Sequence, residues 1–519
     1  MALSSLVNVN WGDVPLQTAL FALLILALGY PALVITYNLC FHPLRKVPGP
    51  KLWAATLLPA YYNRIRGTAI FRIKELHDQY GPVVRVAPEE LSFIDAQAWR
   101  DIYGYNTTKT VAFERDELQA GPEEAGTPGL LRSKGEQHNR LRRTLNHAFS
   151  DKALKQQEPL IKKYTEMLIS VLNRRAGLQQ SNPDHHDARI NMVEMYHFTT
   201  FDTMADLSFG QPLGLLKEER YSPWVAFLLS HIKSVAYMHA IARWPLLAQS
   251  VKYLIPKKVK EGRQEFFGYC VAKVDERMAT QTERPDFWTF LVKNQAEKGI
   301  TRQEMYAVAS DFMVAGTETT STLLSGATWY LCKNPDKMKK LCDEIRSFGS
   351  ADELTLQSLQ NTVYLSAVLQ EALRVYPAVP AGGMRLVPKE GYTICGNFYP
   401  GYSGPFASGR VTCSVMPYVA NHSAYNFHNP DEFVPERFLP GSPAEYRDDK
   451  RAALKPFGHG PRVCIGENLA WHNARLILAS VLYHFDISLS DEKDVWVDQP
   501  IMELWMKKPL LVKLTPVQR

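Results

Sequence analysis

A cysteine in a glycine-rich segment is the strongest candidate for chemistry in this chain. Cys464 lies in the segment FGHGPRVCIG, directly before a run with helical periodicity, so it is predicted to lie where a loop becomes a helix N-terminus. The positive end of the helix dipole and the nearby Arg462 would lower the pKa of a thiol there. The glycines would let backbone N–H groups approach the sulfur. This pattern favours a thiolate metal ligand over an inert buried cysteine.

The same segment resembles the haem-binding signature of the cytochrome P450 monooxygenases, and its matching residues are Phe457, Gly458, Gly460, Arg462, Cys464 and Gly466. The resemblance implies the cytochrome P450 fold and a haem b whose iron is bound by the Cys464 thiolate. It also implies that Phe457, Gly458 and Gly466 lie against the haem. Three further matches occur in the family's order, so the resemblance covers nearly the whole chain.

The run AGTETT lies in the middle of a long apolar stretch that is predicted to be helical over 302–333. Glycine costs a helix about 1 kcal/mol relative to alanine, and threonine is a mediocre helix former. Threonine hydroxyls bonded to backbone carbonyls can bend a helix, and the small Ala315 and Gly316 would leave room for a flat ligand. The resemblance assigns this run to the O₂ pocket, with Thr319 stabilising bound oxygen and Glu318 relaying protons.

Glu371 and Arg374 are spaced i, i+3 on a predicted helix, which places them on one face. By itself this spacing is typical of a solvated surface ion pair. The family, however, has a buried Glu-x-x-Arg pair that a downstream arginine completes, and Arg437 in the segment PERF matches that arginine. The resemblance therefore implies that these three side chains support the haem pocket and take no part in the chemistry.

One histidine and three arginines match residues with which the family contacts the haem propionates. His138 and Arg142 lie in the segment GEQHNRLRR, and His138 stands where the family often has tryptophan. Arg385 and Arg462 match a second and a third propionate arginine. Buried propionates need such partners because an unpaired carboxylate is expensive to bury.

Helical periodicity dominates the chain from residue 137 onward and predicts the elements that must position these residues. Helices are predicted over 137–149, 152–175, 190–208, 222–240, 257–280, 302–333, 335–346, 363–375 and 467–485. Strands are predicted as a hairpin over 83–95 and near 385–395, 411–416 and 501–514. We therefore expect one mainly α domain with a small β-rich part formed from residues near both of its ends.

The N-terminal region contains a long apolar segment. No Asp, Glu, Lys or Arg occurs between Asp13 and Arg45, and this span exceeds the roughly 20 residues needed to cross a bilayer. The predicted order is a lumenal N-terminus over 1–13, a transmembrane anchor over 14–40, a proline-rich tether over 41–52 and a catalytic domain over 53–519. Arg45 and Lys46 place the catalytic domain in the cytosol by the positive-inside rule, and the resemblance to the microsomal class implies the endoplasmic reticulum membrane. The sequons at Asn106 and Asn421 would then stay unglycosylated.

The composition excludes several other classes of protein. Hydrophobic residues make up 46% and charged residues 22% of the chain, which argues against disorder or a coiled coil as the main architecture. The net charge is +6 and no dense basic run is present, so no nucleic-acid surface is expected. Seven cysteines without a Cys-x-x-Cys pair argue against a disulfide framework and against structural zinc.

The resemblance implies a membrane-bound monooxygenase that takes electrons from an NADPH-cytochrome reductase, with cytochrome b5 as a further electron donor. Arg140 and Arg143 would form a positive rim for such an acidic partner. Two alternatives stay open: the same fold catalysing an O₂-independent rearrangement or dehydration, and a non-enzymatic haem sensor or carrier. The presence of both Glu318 and Thr319 favours the monooxygenase, because rearranging relatives tend to lose that acid–alcohol pair.

The positions that the family uses for substrate are apolar or small in this chain: the loop 103–130, Met313, Val314, Ala315, the segment 378–382 and the turn near Leu504. They suggest a hydrophobic small molecule without a charged anchor. The segments YNLCFHPLRKVPGPKLWAAT and YGPVVR resemble those of the fungal secondary-metabolism branch, similar to trichothecene hydroxylases, which implies a terpenoid, polyketide or alkaloid intermediate. An apparent insertion over 402–410 is compatible with a surface loop or with retained intron sequence.

Overall fold

The structure is a computed structural model, and it describes residues 16–105, 113–116, 126–182, 188–242, 255–280, 284–289, 300–404 and 409–518. The first helices, in chain order, are α1 (Leu16–Thr36), α2 (Lys51–Ala55), α3 (Leu58–Arg66), α4 (Ala69–Tyr80), α5 (Ala96–Tyr103), α6 (Gly135–Asn146), α7 (Asp151–Ser181), α8 (Met192–Phe209), α9 (Leu215–Glu218) and α10 (Pro223–Ala242). They are followed by α11 (Lys257–Ala279), α12 (Arg302–Lys333), α13 (Pro335–Ile345), α14 (Leu356–Gln360), α15 (Val363–Val375), α16 (Pro417–Asn421) and α17 (Glu467–His484).

The strands are short and form small sheets. They are β1 (Val83–Ala87), β2 (Glu90–Phe93), β3 (Glu114–Arg115), β4 (Ile190–Asn191), β5 (Arg385–Leu386), β6 (Tyr392–Ile394), β7 (Asn397–Tyr399), β8 (Thr412–Val415), β9 (Phe485–Leu489), β10 (Ile501–Met502), β11 (Leu504–Trp505) and β12 (Leu511–Pro516). The largest sheet has the order β1-β2-β8-β5-β3 and therefore joins both ends of the globular part, as predicted. β4 and β9 flank β12 in a second sheet, and the other two sheets are the hairpins β6-β7 and β10-β11.

Two buried helices, α8 and α12, pack against each other along the core. A capping box starts α12: the Thr301 hydroxyl accepts from the Glu304 amide (3.2 Å), and the Glu304 carboxylate accepts from the Thr301 amide (3.0 Å). Side chains on all sides of α8 are buried. Its threonines satisfy their hydroxyls within the helix, as when Thr199 donates to the Met195 carbonyl at 2.7 Å. These two helices therefore form a rigid frame for the residues in the middle of α12.

The mainly α architecture with small sheets confirms the fold class predicted for the globular part. Each helix predicted from periodicity is present, although α7 extends to Ser181, beyond its predicted end at residue 175. The predictions did not include α2, α3, α4 and α5, nor the short helices α9, α14 and α16. In α4 the buried residues Ile70, Ile73 and Leu76 recur every three residues, a periodicity that could have predicted the helix. Strands of only two residues, such as β3 and β10, are too short to show an alternating pattern of hydrophobic and polar residues.

The N-terminal segment packs on the globular part. α1 continues into a wider helical turn, Tyr37–Phe41, whose Asn38 is buried. The Asn38 side chain donates to the Ala55 carbonyl (2.9 Å), and the Asn38 carbonyl accepts from the buried Arg85 guanidinium (3.1 Å). In the part of the chain that the structure describes, no helix has the length and hydropathy of a membrane span.

The apparent insertion over 402–410 is attached to both the N-terminal segment and the hairpin β1-β2. Ser403 is buried; its carbonyl accepts from the Tyr37 hydroxyl (3.0 Å), and its own hydroxyl donates to the Glu89 carboxylate. The Gly409 amide donates to the same carboxylate at 3.1 Å. Residues 405–408 of this segment lie outside the described residues.

The structure describes one of the two asparagines predicted to stay unglycosylated, Asn421, and not the other, Asn106. Asn106 lies outside the described residues. Asn421 is 1% exposed, and its side-chain amide donates to the Arg374 carbonyl at 3.1 Å. A glycan cannot be attached to this side chain in the folded protein.

Candidate active site

Cys464 lies in a tight loop directly before α17. Its amide donates to the Phe457 carbonyl (2.8 Å), which closes the loop. Gly458 has a φ of +81°, a conformation that other residues rarely adopt. At Gly460 an added β-carbon would collide with the Tyr103 carbonyl of α5. The glycines therefore shape a loop in which the cysteine is exposed.

Phe457 and Gly466 flank this loop in different ways. The Phe457 ring packs on Trp471 of α17, with 5.7 Å between ring centroids. A β-carbon at Gly466 would lie 3.8 Å from Phe149 and 4.0 Å from Cys464 Sγ, which is ordinary contact. The protein around Gly466 thus leaves room for a side chain. Its direct contribution to the site is its amide, which hydrogen-bonds to the Cys464 sulfur.

The pKa of the Cys464 thiol is shifted in the direction opposite to the prediction. Although Cys464 is exposed towards the site, the protein packed around its sulfur desolvates the thiol and raises its pKa, and this effect outweighs the lowering by the Gly466 amide and by Arg142. Arg462, which was predicted to lower this pKa, instead donates to the Ser133 carbonyl at 2.5 Å. The protein groups alone do not favour the thiolate form of Cys464. A metal cation bound to the sulfur would stabilise the negative charge of the thiolate.

Three predicted arginines come together beside the cysteine loop. Arg142 donates to the Val463 carbonyl at 2.5 Å, and Arg385 lies over the Tyr103 ring at 5.0 Å from its centroid. Burial, followed by the charges of neighbouring cations that include Arg385 and Arg142, lowers the pKa of Arg462 to about 10. This mutual repulsion shows that the structure gathers positive charge at one place.

Arg115, which the sequence did not indicate, belongs to the same cluster. The pairing of β3 with β5 places Arg115 directly opposite Arg385, a like-charge pair that weakens a sheet. The Nε of Arg115 is buried without a hydrogen-bond partner. Among the described residues, Arg115, Arg142, Arg385 and Arg462 form no ion pair within 4.0 Å. A cluster of this kind fits an anionic ligand such as the two propionates of a haem.

His138 lies beside this cluster on α6 and is buried. Burial, followed by the charge of Arg462, lowers the pKa of His138 to about 4. The imidazole is therefore neutral at physiological pH and can donate one hydrogen bond without adding a charge. This arrangement is compatible with the predicted propionate contact.

One face of α12 remains accessible although most of the helix is buried. Along this face lie Asp311, Val314, Ala315 and Thr319, spaced by three or four residues. The Thr319 hydroxyl donates to the Ala315 carbonyl at 2.7 Å, and α12 continues through this position to Lys333. Thr319 is therefore placed where a ligand on this face can reach its hydroxyl.

Two other residues of α12, Gly316 and Met313, pack against neighbouring parts of the protein. A β-carbon at Gly316 would meet the side chain of Met204 at 2.6 Å, so Gly316 allows α12 to pack closely on α8. It was predicted to leave room for a flat ligand. Met313, a predicted substrate contact, is 0% exposed. Ala315 is exposed on the accessible face, and Gly316 is partly exposed.

Glu318 lies next to Thr319 in sequence, but its side chain lies on the buried side of the helix. Its carboxylate pairs with the Lys507 ammonium and lies 2.8 Å from His197 Nε2. Burial opposes ionisation of Glu318, but Lys507 and His197 together lower its pKa to about 2. Lys507 and His197 were not predicted, and no local spacing connects them with Glu318.

The Glu-x-x-Arg pair is buried as the resemblance implied. Glu371, Arg374 and Arg437 are each 0% exposed. Arg374 donates to the Glu371 carboxylate through Nε (2.7 Å) and Nη2 (2.8 Å), and Arg437 Nε donates to it at 3.2 Å. Arg437 also pairs with Asp449 at 2.5 Å. The cluster ties α15 to the segment that leads to the cysteine loop.

The predicted basic rim is smaller than expected. Arg140 pairs with the buried Glu304 (2.5 Å) at the start of α12, so its charge is already neutralised inside the protein. Arg143 is exposed, as predicted. Arg140 thus connects α6 to α12, and only Arg143 of the two keeps the position proposed for a redox partner.

Comparison with known proteins agrees with this geometry. A family model described as Cytochrome P450 matches residues 47–515. The chain is 41% identical over 502 residues to cytochrome P450 monooxygenase astA of Talaromyces wortmannii, covering 96% of this chain and 98% of that protein. It is 40% identical over 496 residues to cytochrome P450 monooxygenase efuB of Hormonema carpetanum, covering 95% of each chain.

A third relative has a named substrate. The averantin hydroxylase of Dothistroma septosporum is 38% identical over 488 residues, which is 93% of this chain and 88% of that protein. All three similarities extend over nearly the full length of the chain. They therefore include the cysteine loop, the arginine cluster and the accessible face of α12.

Proposed function

The chain belongs to the cytochrome P450 family, and on this premise we propose that it inserts one oxygen atom of O₂ into an apolar secondary-metabolite intermediate, by hydroxylation or epoxidation. Membership makes the protein a cytochrome P450 monooxygenase and implies a haem-thiolate cofactor. The observation that carries the site assignment is the exposed Cys464 beside a cluster of four arginines without ion-pair partners among the described residues. The names and fungal origin of the relatives support the pathway.

The residues around the site would hold different parts of the haem. Cys464 would hold the iron, and Arg115, Arg142, Arg385 and Arg462 would hold the propionates. When bound, the haem supplies the site at which O₂ is reduced and activated.

Thr319 would keep a hydroxyl proton on the accessible face. Its Oγ1 donates to the Ala315 carbonyl in this structure and still has lone pairs with which to accept a second hydrogen bond. Rotation about one side-chain bond would redirect the proton towards a ligand. Val314 and Ala315 would offer the substrate an apolar surface on the same face. Asp311 is the one carboxyl group on that stretch of the face.

We also propose a place and partners for the enzyme. The uncharged N-terminal segment would anchor it in the endoplasmic reticulum membrane with the catalytic part in the cytosol. An NADPH-cytochrome reductase would supply electrons, with cytochrome b5 as a further donor. Arg143, exposed on α6, offers a positive charge to such a partner.

The test of the site assignment is the absorption spectrum of the reduced carbon monoxide complex. Cys464→Ala should lose the long-wavelength Soret band that thiolate ligation produces. Cys40→Ala is the matched control, because Cys40 is also exposed but lies far from the loop in sequence. Survival of the band in Cys464→Ala would disprove the ligand assignment.

The test of the reaction is product formation by the purified protein with a reductase, NADPH and candidate intermediates from its biosynthetic gene neighbourhood. An oxygenated product that requires both NADPH and O₂ is expected. A product formed equally well without the reductase would instead indicate an O₂-independent rearrangement or dehydration.

A further inference from the structure

The short segment 129–133 is bonded to α12 through its backbone amides. The Leu131 amide donates to the Asp311 carboxylate at 2.9 Å, and the Leu130 amide donates to the same carboxylate. Hydrogen bonds to an ionised acceptor are stronger than those between neutral groups. Asp311 therefore fixes where the segment lies along α12.

The fit between this segment and α12 depends on Gly129. Gly129 is buried, and an added β-carbon would collide with the Asp311 carboxylate and lie 2.9 Å from the Ala307 carbonyl oxygen. The Ser133 amide donates to the Gly129 carbonyl at 2.9 Å, and the Ser133 hydroxyl donates to the Leu130 carbonyl at 3.2 Å. Because these bonds join the two ends of the segment, a shift at Gly129 also displaces Ser133.

The carbonyls of the same segment hold two arginines of the cluster. Arg115 Nη1 donates to the Leu131 carbonyl at 2.6 Å, and Arg462 Nη2 donates to the Ser133 carbonyl at 2.5 Å. The amide of Leu131 thus faces a carboxylate while its carbonyl faces a guanidinium. Hydrogen bonds linked in this way polarise one another, which strengthens each of them.

The other two arginines of the cluster are held by different parts of the chain. Arg142 donates to the Val463 carbonyl in the cysteine loop. Arg385 donates to the carbonyl of the preceding residue, Met384, at 3.1 Å. A displacement of segment 129–133 should therefore affect two of the four arginines and leave the other two in place.

Asp311 and Arg115 also interact through their charges. Burial, followed by the charge of Arg385, lowers the pKa of Arg115, whereas the charge of Asp311 raises it. Burial raises the pKa of Asp311 to about 6, and the Leu131 amide, Arg132 and Arg115 oppose this shift. The carboxylate thus offsets part of the positive charge of the cluster from the other side of the segment.

We propose that Asp311 is a positioning residue for the haem: through segment 129–133 it fixes Arg115 and Arg462 where they bind the propionates. The inference rests on the proposed function, since it takes these arginines as the propionate ligands. Asp311 lies on the face of α12 that also carries Thr319. One side chain would then support both the accessible face of α12 and the anchoring of the haem.

The first experiment measures haem transfer from the ferric full-length protein in detergent to an excess of apomyoglobin. Losing a hydrogen bond to a charged group changes an equilibrium by about tenfold or more, so Asp311→Ala should release haem about tenfold faster than wild type. Asp311→Asn keeps an oxygen that can accept from the Leu131 amide, so most of the retention should return. Asp275→Ala is the matched control, because Asp275 on α11 also contacts α12, pairing with Arg302 at 2.8 Å, and should leave the rate unchanged.

Gly129→Ala displaces the segment while Asp311 stays in place. It should speed haem transfer in the same direction as Asp311→Ala, and it carries the test if Asp311→Ala does not fold. Gly177→Ala is its control, because an added β-carbon at Gly177 of α7 would meet nothing within 4 Å. Its transfer rate should equal that of the wild-type protein.

The second experiment measures the reduction potential of the haem by spectroelectrochemical titration. A guanidinium that offsets a propionate charge favours the reduced iron, since nearby charge and hydrogen bonding tune haem potentials. Gly129→Ala removes no charge from the protein, so a fall in its potential would report the displaced arginines alone. Gly177→Ala should keep the wild-type potential. An unchanged potential in Gly129→Ala would contradict the proposal.

A double-mutant cycle then tests whether Asp311 acts through the arginines. Groups that act on one another give non-additive effects, whereas independent groups give additive ones. Asp311→Ala should therefore speed haem transfer less in an Arg115→Gln background than in the wild-type protein. Full additivity would overturn the positioning role, because Asp311 would then act without Arg115.

The remaining outcomes separate this inference from the proposed function. Faster transfer in Arg115→Gln together with wild-type rates in Asp311→Ala and Gly129→Ala would overturn the positioning role alone. Equal rates in Asp311→Asn and Asp311→Ala would also overturn it, because the bond to the Leu131 amide would not matter. Wild-type rates in both Arg115→Gln and Arg462→Gln would instead overturn the propionate assignment in the proposed function.

Discussion

Replacing Glu371 with glutamine should destabilise the protein far more than the same replacement at the surface. The Glu371 carboxylate is 0% exposed and accepts hydrogen bonds from Arg374, Arg437 and the Val434 amide, the last at 2.7 Å. Glutamine has almost the same volume, so no cavity forms. It removes the negative charge, however, and turns a donor NH₂ group towards guanidinium N–H groups.

The magnitude follows from the burial of the partners. Arg374 and Arg437 are also 0% exposed, and within the described ranges only Arg437 has a second carboxylate within ion-pair distance, that of Asp449. Breaking one member of a buried ion pair typically costs about 3–5 kcal/mol, because the remaining charge stays buried. Against a total stability of roughly 5–15 kcal/mol, this is a large fraction. Small proteins have urea m values of up to about 3 kcal/mol/M, and m increases with chain length, so the unfolding midpoint should fall by at most about 1–1.7 M.

The matched control is Glu75→Gln. Glu75 also pairs with an arginine three residues away, Arg72, but the two side chains are 57% and 55% exposed. Such a pair contributes about 0–1 kcal/mol, so the midpoint should move by no more than about 0.3 M. Urea unfolding followed by circular dichroism compares the variants. Equal midpoints for Glu371→Gln and Glu75→Gln would refute the argument from burial.

Three further predictions follow from the site and the N-terminal segment. Thr319→Ala should fold and bind haem but release more hydrogen peroxide per NADPH, with Thr319→Ser as control; unchanged coupling would mean that another group supplies the hydrogen bond. Burial raises the pKa of Asp311 to about 6, above its value in the unfolded chain, so this group should make the protein more stable as pH falls from 7 to 5. Asp311→Asn should remove that gain, as measured by urea unfolding at each pH, and an identical pH dependence would contradict it. A chain that begins at residue 46 should be less stable by about 1–3 kcal/mol than one that retains Asn38, because the buried Arg85 loses an acceptor; equal thermal unfolding temperatures would contradict this.

The amino-acid sequence alone predicted the features that depend on residues close together in the chain. Helical periodicity located the long helices, because each face of a helix repeats within the helix itself. The Cys464 segment could be recognised because its glycines and cysteine act within one loop. The spacing of Glu371 and Arg374 placed them on one helix face, although only the family resemblance indicated that the face is buried.

The tertiary structure decided which distant residues meet. Arg115 joins the arginine cluster because β3 pairs with β5, a register that no local pattern encodes. Glu318 was grouped with Thr319 because they are adjacent in sequence, yet its partner Lys507 lies 189 residues further along the chain. Gly316 lies where α12 passes the Met204 side chain of α8. Periodicity acts over one or two turns, whereas these contacts depend on how separate elements fill the same core, which is determined by packing and by the pairing of buried charges.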